Sequence, residues 1–337
     1  MLGSSNPYSQ AGENQVSLTT RFLNSSDHYN GDVEQVQRQT LGTYVLNKQR
    51  AAELTFTHAF TERFSASVGV PYLNSSWGIP SPTTPTPGPR AAENGRGLGD
   101  ISVNTNFWVL PTDRFRKGNV SVGIGLKAPS GNAAAQDTFV GSNGQFNIPR
   151  AVDESVQPGD GGWGIPVSVF GFRRIPHAQL FGSAAYLINP RDHNDTPSIA
   201  VTRLAPGQLP PPTADQSTLV NTVPDQYMVR FGGAVPIAYG IAGMVAWRAE
   251  GLPRYDLIGA SHGFRRPGVE MFVEPGISYA RGSHAFGFQV PIGYYRNRFP
   301  NPYSGAKGDA TFPKRIWLAN YTFRFGGKAP ISSALCP

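Results

Sequence analysis

The alternation of hydrophobic and polar positions is clearest between residues 50 and 75. Over 54–60 every second residue is leucine, phenylalanine or histidine, and after a break at 61–63 apolar residues again occupy every second position over 64–72. A period of two with opposite chemistry on the two faces predicts β-strands, here joined as a hairpin by about three residues. Each arm has about ten alternating residues, enough to cross a bilayer when tilted.

The same unit recurs along the chain and predicts twelve strands. Besides the two arms of the hairpin 50–75, they are placed at about 14–25, 100–109, 119–128, 163–173, 177–189, 225–237, 239–250, 267–280, 284–295 and 314–325. The sixth and seventh alternate poorly, because Phe170, Phe172 and Phe181 fall on the face that should be polar.

The connections between these strands alternate in length. Five short ones lie near residues 61, 113, 175, 238 and 282, and six long ones cover about 26–49, 77–98, 129–161, 190–223, 251–266 and 296–310. Barrels of the bacterial outer membrane have an even strand number, short periplasmic turns and long external loops. The proline-rich connection 77–98 is predicted to be an exposed loop, since proline cannot pair within a central strand.

These features together predict an all-β fold, a closed antiparallel transmembrane β-barrel of about twelve strands. In hydrocarbon every backbone N–H and C=O must be paired, so strand one must meet strand twelve. The barrel is predicted over 14–325, with an N-terminal periplasmic segment at 1–13 and a C-terminal periplasmic tail at 326–337. Both termini fall on the periplasmic side, because the first and last connections are both long.

Composition narrows the class further. Among 337 residues only 15% are charged, and no window of eighteen is continuously apolar, which argues against a transmembrane helix. A mean hydropathy of −0.28 suits a membrane barrel, because only half of each strand faces lipid. The single cysteine, Cys336, argues against an intrachain disulfide framework and a cysteine metal site, and no cofactor or metal is predicted.

The net charge of +7 bears on the partners. Without basic runs interleaved with aromatic residues it gives little support for nucleic-acid binding. Attraction to lipopolysaccharide phosphates, or to anionic solutes in a pore, fits better. The first residues lack the basic and apolar regions of a signal peptide, so the exported protein predicted here requires this sequence to be the mature form.

The polar positions between the apolar ones should face the lumen. They mix acids, bases and amides: Glu53, Asp100, Asn104, Asn106, Lys127, Arg230, Arg248, Glu270, Glu274, Gln289, Asn320 and Arg324. They could form a salt-bridged, hydrated lining that holds the barrel in shape, or a selectivity ladder that orients a polar or ionic solute. Twelve strands lie between the eight that side chains can fill and the sixteen of wide channels, so we expect a narrow pore partly plugged by loops.

Short glycine and proline motifs add a family resemblance. Gly97-Leu-Gly-Asp100 opens one strand, Gly125-Leu-Lys-Ala-Pro-Ser-Gly131 ends the next, and Glu62-Arg-Phe-Ser-Ala-Ser-Val-Gly-Val-Pro-Tyr72 ends in Val-Pro-Tyr. Over roughly 50–131 the chain resembles the phenol-degradation meta-pathway (MetA-type) outer-membrane proteins. The resemblance implies a barrel that passes small, often hydrophobic or aromatic, molecules. Outer-membrane barrels usually end on an aromatic residue, whereas this chain continues for twelve residues past Phe325.

The sequence therefore predicts an outer-membrane channel for passive passage of a small hydrophobic, aromatic or anionic solute, in contact with lipid and lipopolysaccharide. The alternative is a structural or adhesive barrel with a closed lumen, whose long loops bind other protein chains. A lipid-cleaving barrel would need a serine activated by an oriented histidine. Ser283-His284 and Ser261-His262 are only sequence neighbours, and 191–195 resembles an exposed polar loop more than a cation site, so no enzyme activity is predicted.

Overall fold

The computed structural model describes residues 7–80, 90–140, 147–202, 204, 207–212, 218–303, 305 and 307–327. Within them, twelve antiparallel strands form the wall of a barrel, and two of the twelve, β4 and β11, consist of two segments each. Their bounds are β1 Glu13–Asn30, β2 Leu46–Ala59, β3 Phe64–Pro80, β4 Arg90–Leu98 and Ser102–Trp108, β5 Gly118–Lys127, β6 Ile165–Ile175, β7 Ala178–Ile188, β8 Gln226–Ala238, β9 Ile241–Leu252, β10 Gly268–Arg281, β11 His284–Gln289 and Ile292–Arg298, and β12 Ala310–Gly326.

The barrel closes between its first and last strands. Each strand pairs with its neighbours in sequence, and β12 pairs with β1 from Gly326 opposite Glu13 to Ala310 opposite Tyr29. Closure leaves no open sheet edge, which is the condition for placing a sheet in hydrocarbon. The predicted closed antiparallel barrel of twelve strands is therefore confirmed.

The predicted apolar positions lie on the outer face. Leu54 stands opposite Leu18 on one side and Val70 on the other, and cross-strand partners share a face. Large exposed apolar side chains continue this band around the barrel: Val103, Val122, Ile124, Val229, Val245, Ile277, Phe288 and Trp317. A continuous apolar surface of this extent is suited to lipid, not to water.

The strands extend further on the long-loop side than predicted. β3 runs to Pro80 and pairs with Arg90–Leu98, so the predicted loop 77–98 is wrong for 77–80 and 90–98, which are paired strands; residues 81–89 lie outside the described residues. Pro80 occupies the last position of its strand, where a missing N–H costs little. Parts of the predicted loop 26–49 are also strand, because β1 reaches Asn30 and β2 begins at Leu46.

The long loops carry small elements of their own. Short strands Val33–Glu34, Gln136–Val140, Asn147–Ala151, His193–Pro197 and Val220–Thr222 occur there, with helices Val36–Thr40 and Ile199–Thr202 and a 3₁₀ turn Glu154–Val156. No helix in the described part of the chain is long and apolar enough to cross a membrane.

Candidate functional site in the barrel lumen

An aromatic cluster occupies the end of the lumen that carries the short turns. Tyr8, which precedes β1, inserts its ring between Trp108 and Phe172, with ring-centroid distances of 4.8 and 5.8 Å. Its hydroxyl donates a hydrogen bond to the carbonyl oxygen of Phe115 at 2.6 Å. Phe181 is also buried in this cluster. The aromatic rings therefore narrow the lumen at its periplasmic end.

The cluster explains the poor alternation in the sixth and seventh strands. Phe172 stands opposite Asn119 on β5 and Phe181 on β7, and Phe170 stands opposite Ser121, so all of these side chains share the inner face. The alternation predicted a polar inner face, whereas in these two strands the inner face carries three phenylalanines. The phenylalanines are accommodated because they pack on one another and on Tyr8 inside the barrel.

A network of ion pairs crosses the middle of the lumen. Arg21 on β1 pairs with Glu250 on β9, with 2.5 Å between Nη2 and Oε1. Around the wall β10, β11 and β12 separate these two strands, so the pair passes through the interior. Arg248 donates from Nε to Oε2 of Glu250 at 2.8 Å, and Arg230 donates from Nη2 to Oε1 of Glu274 at 2.5 Å.

The network holds more bases than acids. Nη1 of Arg248 lies 3.6 Å from Oε2 of Glu274, which links the two halves of the network. Three guanidinium groups, those of Arg21, Arg230 and Arg248, therefore share the two carboxylates of Glu250 and Glu274. On the adjacent wall the buried Glu270 is paired separately with Arg296, at 3.1 Å from Nε.

A cavity of about 490 Å³ lies between this network and the long-loop end of the barrel. Five charged groups line it, namely Arg21, Arg248, Glu250, Arg266 and Glu270. The rest of its wall is largely apolar and includes Leu23, Ala185, Leu187, Met228, Leu252, Val269, Phe312 and Pro313. Its volume falls within the range of about 300–1,000 Å³ typical of small-molecule sites.

The segment 152–157 crosses the mouth of the barrel above this cavity. On one side Ser155 accepts hydrogen bonds from two β2 side chains, at 2.7 Å from Asn47 and 3.0 Å from Gln49. On the other side Arg266, just before β10, forms a bidentate pair with Asp153 at 2.5 and 2.8 Å. The loop between β5 and β6 thus spans from one wall to another, and we call 152–157 the mouth segment.

The mouth segment is closely packed and electrostatically distinctive. Val152 and Val156 are at most 1% exposed and pack with Trp77 in one apolar cluster. Burial raises the pKa of Glu154 to about 7, although the nearby charge of Arg266 opposes the shift. Burial also acts to raise the pKa of Asp153, but the charge and hydrogen bonds of Arg266 outweigh it and lower that pKa overall.

The two Gly-containing motifs of β4 and β5 meet at the base of this loop. Asp100 accepts hydrogen bonds from the backbone N–H groups of Gly131 at 2.9 Å and Asp160 at 3.1 Å. A Cβ on Gly159 would lie 2.7 Å from the Cα of Gly131, so the two backbones approach more closely than side chains permit. Lys127 pairs with Asp160 and lies 3.5 Å from Asp100. Asp100 and Lys127, two of the predicted lumen residues, therefore anchor the loop that carries the mouth segment.

The other predicted lumen residues lie apart from the network. Oε1 of Glu53 accepts a hydrogen bond from Thr55, and Arg324 lies 3.6 Å from Glu13. The side chain of Asn104 donates a hydrogen bond to the hydroxyl of Ser102. A Cβ on Gly125, which stands opposite, would lie 2.3 Å from Oδ1 of Asn104, so the amide occupies the space of a side chain there. Three more amide side chains, Asn106, Gln289 and Asn320, have inner-face glycines as neighbours.

The structure thus brings together four of the predicted lumen residues, Arg230, Arg248, Glu274 and, beside them, Glu270. It adds Arg21, Glu250 and Arg266, which the sequence analysis did not select. The first two were accessible to the same reasoning, because Arg21 alternates with Leu18, Thr20 and Phe22, and Glu250 has the parity of Arg248. Tyr8 and Arg266 lie outside the membrane strands, where no alternation marks them.

The serine and histidine neighbours make other contacts. Nδ1 of His284 lies 2.8 Å from the hydroxyl of Tyr321, and the Ser261 hydroxyl accepts a hydrogen bond from the backbone N–H of Asp256 at 2.8 Å. His262 stacks on Tyr303. Within the described residues no group of three or more histidine, cysteine, aspartate and glutamate side chains could hold a metal ion.

No family model and no curated protein matches the sequence, but solved structures do. The chain is similar to the COG4313 outer membrane channel from Pseudomonas putida F1, with a TM-score of 0.60 and 9% identity over 96% of this chain and 98% of that one. It has an outer-membrane barrel fold. Lower TM-scores relate it to the translocator domain of autotransporter NalP from Neisseria meningitidis (0.46, 10% identity, 94% and 90% covered) and a Pseudomonas aeruginosa FadL homologue (0.40, 8%, 93% and 90%).

The predicted fold class and location are confirmed by these findings. The exposed apolar band and the closed barrel place the protein in the bacterial outer membrane, in contact with lipid. At 9% identity the likeness shows the fold alone, so membership of the phenol-degradation family stays a prediction.

Proposed function

We propose that this protein is a passive outer-membrane channel for small solutes that combine an apolar body with a polar or charged group. The observation that carries this proposal is the cavity of about 490 Å³ inside the barrel, whose lining combines apolar side chains with a cluster of arginine and glutamate. A barrel that served only as a scaffold would have no need of an interior site of this size and mixed chemistry.

The path that we propose has three parts. A solute enters past the mouth segment, occupies the cavity beside Arg21 and Glu250, and leaves past the aromatic cluster around Tyr8. The two ends are narrowed by different means, because the mouth segment is held by its ion pair with Arg266 whereas the periplasmic end is held by ring packing. Displacement of both elements would open the path.

The predicted lumen residues take distinct roles in this proposal. Arg230, Arg248 and Glu274 form part of the charged belt that a solute passes, and Glu270 lies on the cavity wall. Domain boundaries follow the same picture: a barrel over 14–325, a segment 1–13 that contributes Tyr8 to the periplasmic end, and a periplasmic tail 326–337, of which 328–337 lie outside the described residues.

The second candidate is a closed barrel whose loops bind other protein chains, and the occupied mouth and periplasmic end are the observations in its favour. Purified protein reconstituted into planar bilayers separates the two. Discrete conductance steps, increased when the mouth segment is released by Arg266→Gln, support a channel. Protein that is inserted but electrically silent in both forms would favour the closed barrel.

A further inference from the structure

We infer that the lumen cavity is a binding site for an organic carboxylate with a small aromatic or aliphatic body. This inference rests on the proposed channel function and names the class of solute that the cavity selects. It follows from the charges, the exposure and the wall of the cavity taken in turn.

The charges favour an anion over a cation. Each carboxylate on the cavity wall already has a guanidinium partner, since Glu250 is bound by both Arg21 and Arg248, and Glu270 is bound by Arg296. A cationic solute would have to displace an arginine. A carboxylate solute would instead meet the guanidinium groups of Arg21 and Arg248, which share the carboxylate of Glu250. Each guanidinium carries five N–H donors.

Exposure singles out Arg21 as the first contact. Its side chain is 38% exposed to the lumen, although the Glu250 carboxylate that it binds is only 16% exposed. Arg248 lies directly behind, 12% exposed, on the same carboxylate. A solute carboxylate can therefore reach Arg21 from the cavity without breaking the pair, and the second guanidinium adds attraction at short range.

The same cavity supplies apolar contacts beside these charges, since Met228 is the cross-strand neighbour of Glu250. Leu187, Met228, Leu252 and Phe312 are among the apolar residues that line the cavity. A hydrocarbon body bound there is removed from water, which favours binding. Because charged and apolar groups line one cavity side by side, the site matches a molecule with both features and discriminates against one that has only a charge or only a ring.

Equilibrium dialysis of the full-length protein in detergent micelles tests this, with protein-free micelles as the blank. The probes are 3-phenylpropionate, 3-phenylpropan-1-ol and 3-phenylpropylamine, which share one body and differ in head group. We expect the acid to bind at least tenfold more tightly than the alcohol and the amine. Equal binding of all three, or stronger binding of the amine, would overturn the inference.

Two variants shift the affinity in opposite directions. We expect Arg21→Gln to weaken binding of the acid about tenfold and to leave the alcohol unchanged. Glu250→Gln releases two guanidinium groups and should strengthen acid binding several-fold, an effect that a general loss of folding cannot produce. Arg281→Gln, an exposed arginine at a short turn, makes the same charge change as Arg21→Gln and should leave binding of both the acid and the alcohol unchanged. Weaker acid binding by Glu250→Gln would contradict the inference.

Binding in micelles does not require conduction, so the two proposals fail separately. Protein that binds 3-phenylpropionate in this manner but forms no conducting steps in bilayers argues against the channel and leaves the site intact. Protein that conducts but binds the acid, alcohol and amine alike argues against the carboxylate site alone.

Discussion

Release of the mouth segment by Arg266→Gln is the sharpest test of how the lumen is closed. The substitution removes the guanidinium that contacts both carboxylate oxygens of Asp153, at 2.5 and 2.8 Å. Asp153 is only 1% exposed, so its charge is left buried without a counter-ion. Breaking a buried pair from one side costs about 3–5 kcal/mol.

The remaining contacts of Asp153 set the size of the effect. Its Oδ1 still accepts hydrogen bonds from the backbone N–H and hydroxyl of Ser155, at 3.0 and 2.5 Å, which offsets part of the loss. We therefore take the lower end, about 3 kcal/mol, which corresponds to an increase of roughly a hundredfold in the ratio of undocked to docked mouth segment.

Single-channel recording measures the open probability, and hydrogen exchange of the amides of 152–157 measures docking directly. We expect both to rise in Arg266→Gln. Arg38→Gln is the matched control, because it breaks a partly exposed pair with Asp309 between other long loops, worth about 0–1 kcal/mol. The double variant Asp153→Asn/Arg266→Gln removes both charges and should recover part of the docking.

Two results would refute this reasoning. If Arg266→Gln shows the open probability and amide exchange of the unmodified protein, the ion pair with Asp153 does not hold the mouth segment. If the double variant is as open as the single one, an unpaired buried carboxylate is not the cause of the opening.

Three further expectations concern other parts of the barrel. Burial raises the pKa of Glu154 to about 7 from an ordinary 4.5, so over this range the docked segment retains a proton that the undocked segment has lost. Docking should therefore weaken, and the open probability rise, as the pH rises from about 5 to 7. A pH-independent open probability would contradict this. Glu154→Gln should flatten that profile. Tyr8→Ala removes a ring from the periplasmic cluster at a packing cost of about 3–5 kcal/mol and should raise the conductance, whereas Tyr8→Phe should not; equal conductance of both would count against ring packing as the closure. Val122→Arg places a charge on the lipid face at about 2–4 kcal/mol and should impair membrane insertion in a liposome-folding assay, whereas Ser67→Arg on the inner face should insert; the reverse order would invert the assigned faces.

The wall of the barrel was predictable because lipid imposes one simple rule on it. Every second residue must be apolar and every backbone group must be paired, so alternation and the lengths of the connections were enough to give twelve strands and their closure. Beyond the bilayer the rule no longer applies. There β3 and its partner strand extend to Pro80 and Arg90 because other parts of the protein hold them. Glu93, for example, accepts a hydrogen bond at 2.5 Å from the backbone N–H of Asp153.

The lumen was predictable only in part. Parity alone put Arg230, Arg248 and Glu274 on the inner face, but whether they join the Arg21–Glu250 pair depends on how closely strands four positions apart approach across the interior. The same parity put Phe172 and Phe181 on a face expected to be polar, an anomaly visible in the sequence whose resolution required Tyr8 to enter the barrel.

The sequence by itself determined which faces meet lipid and that the sheet must close, since those properties are set by the solvent and by local hydrogen bonding. Only the tertiary structure decided what fills the interior, because a loop and an N-terminal segment distant in sequence are brought into the lumen by curvature. An ion pair across a barrel, such as that between Arg21 and Glu250, has no periodicity for a sequence to display.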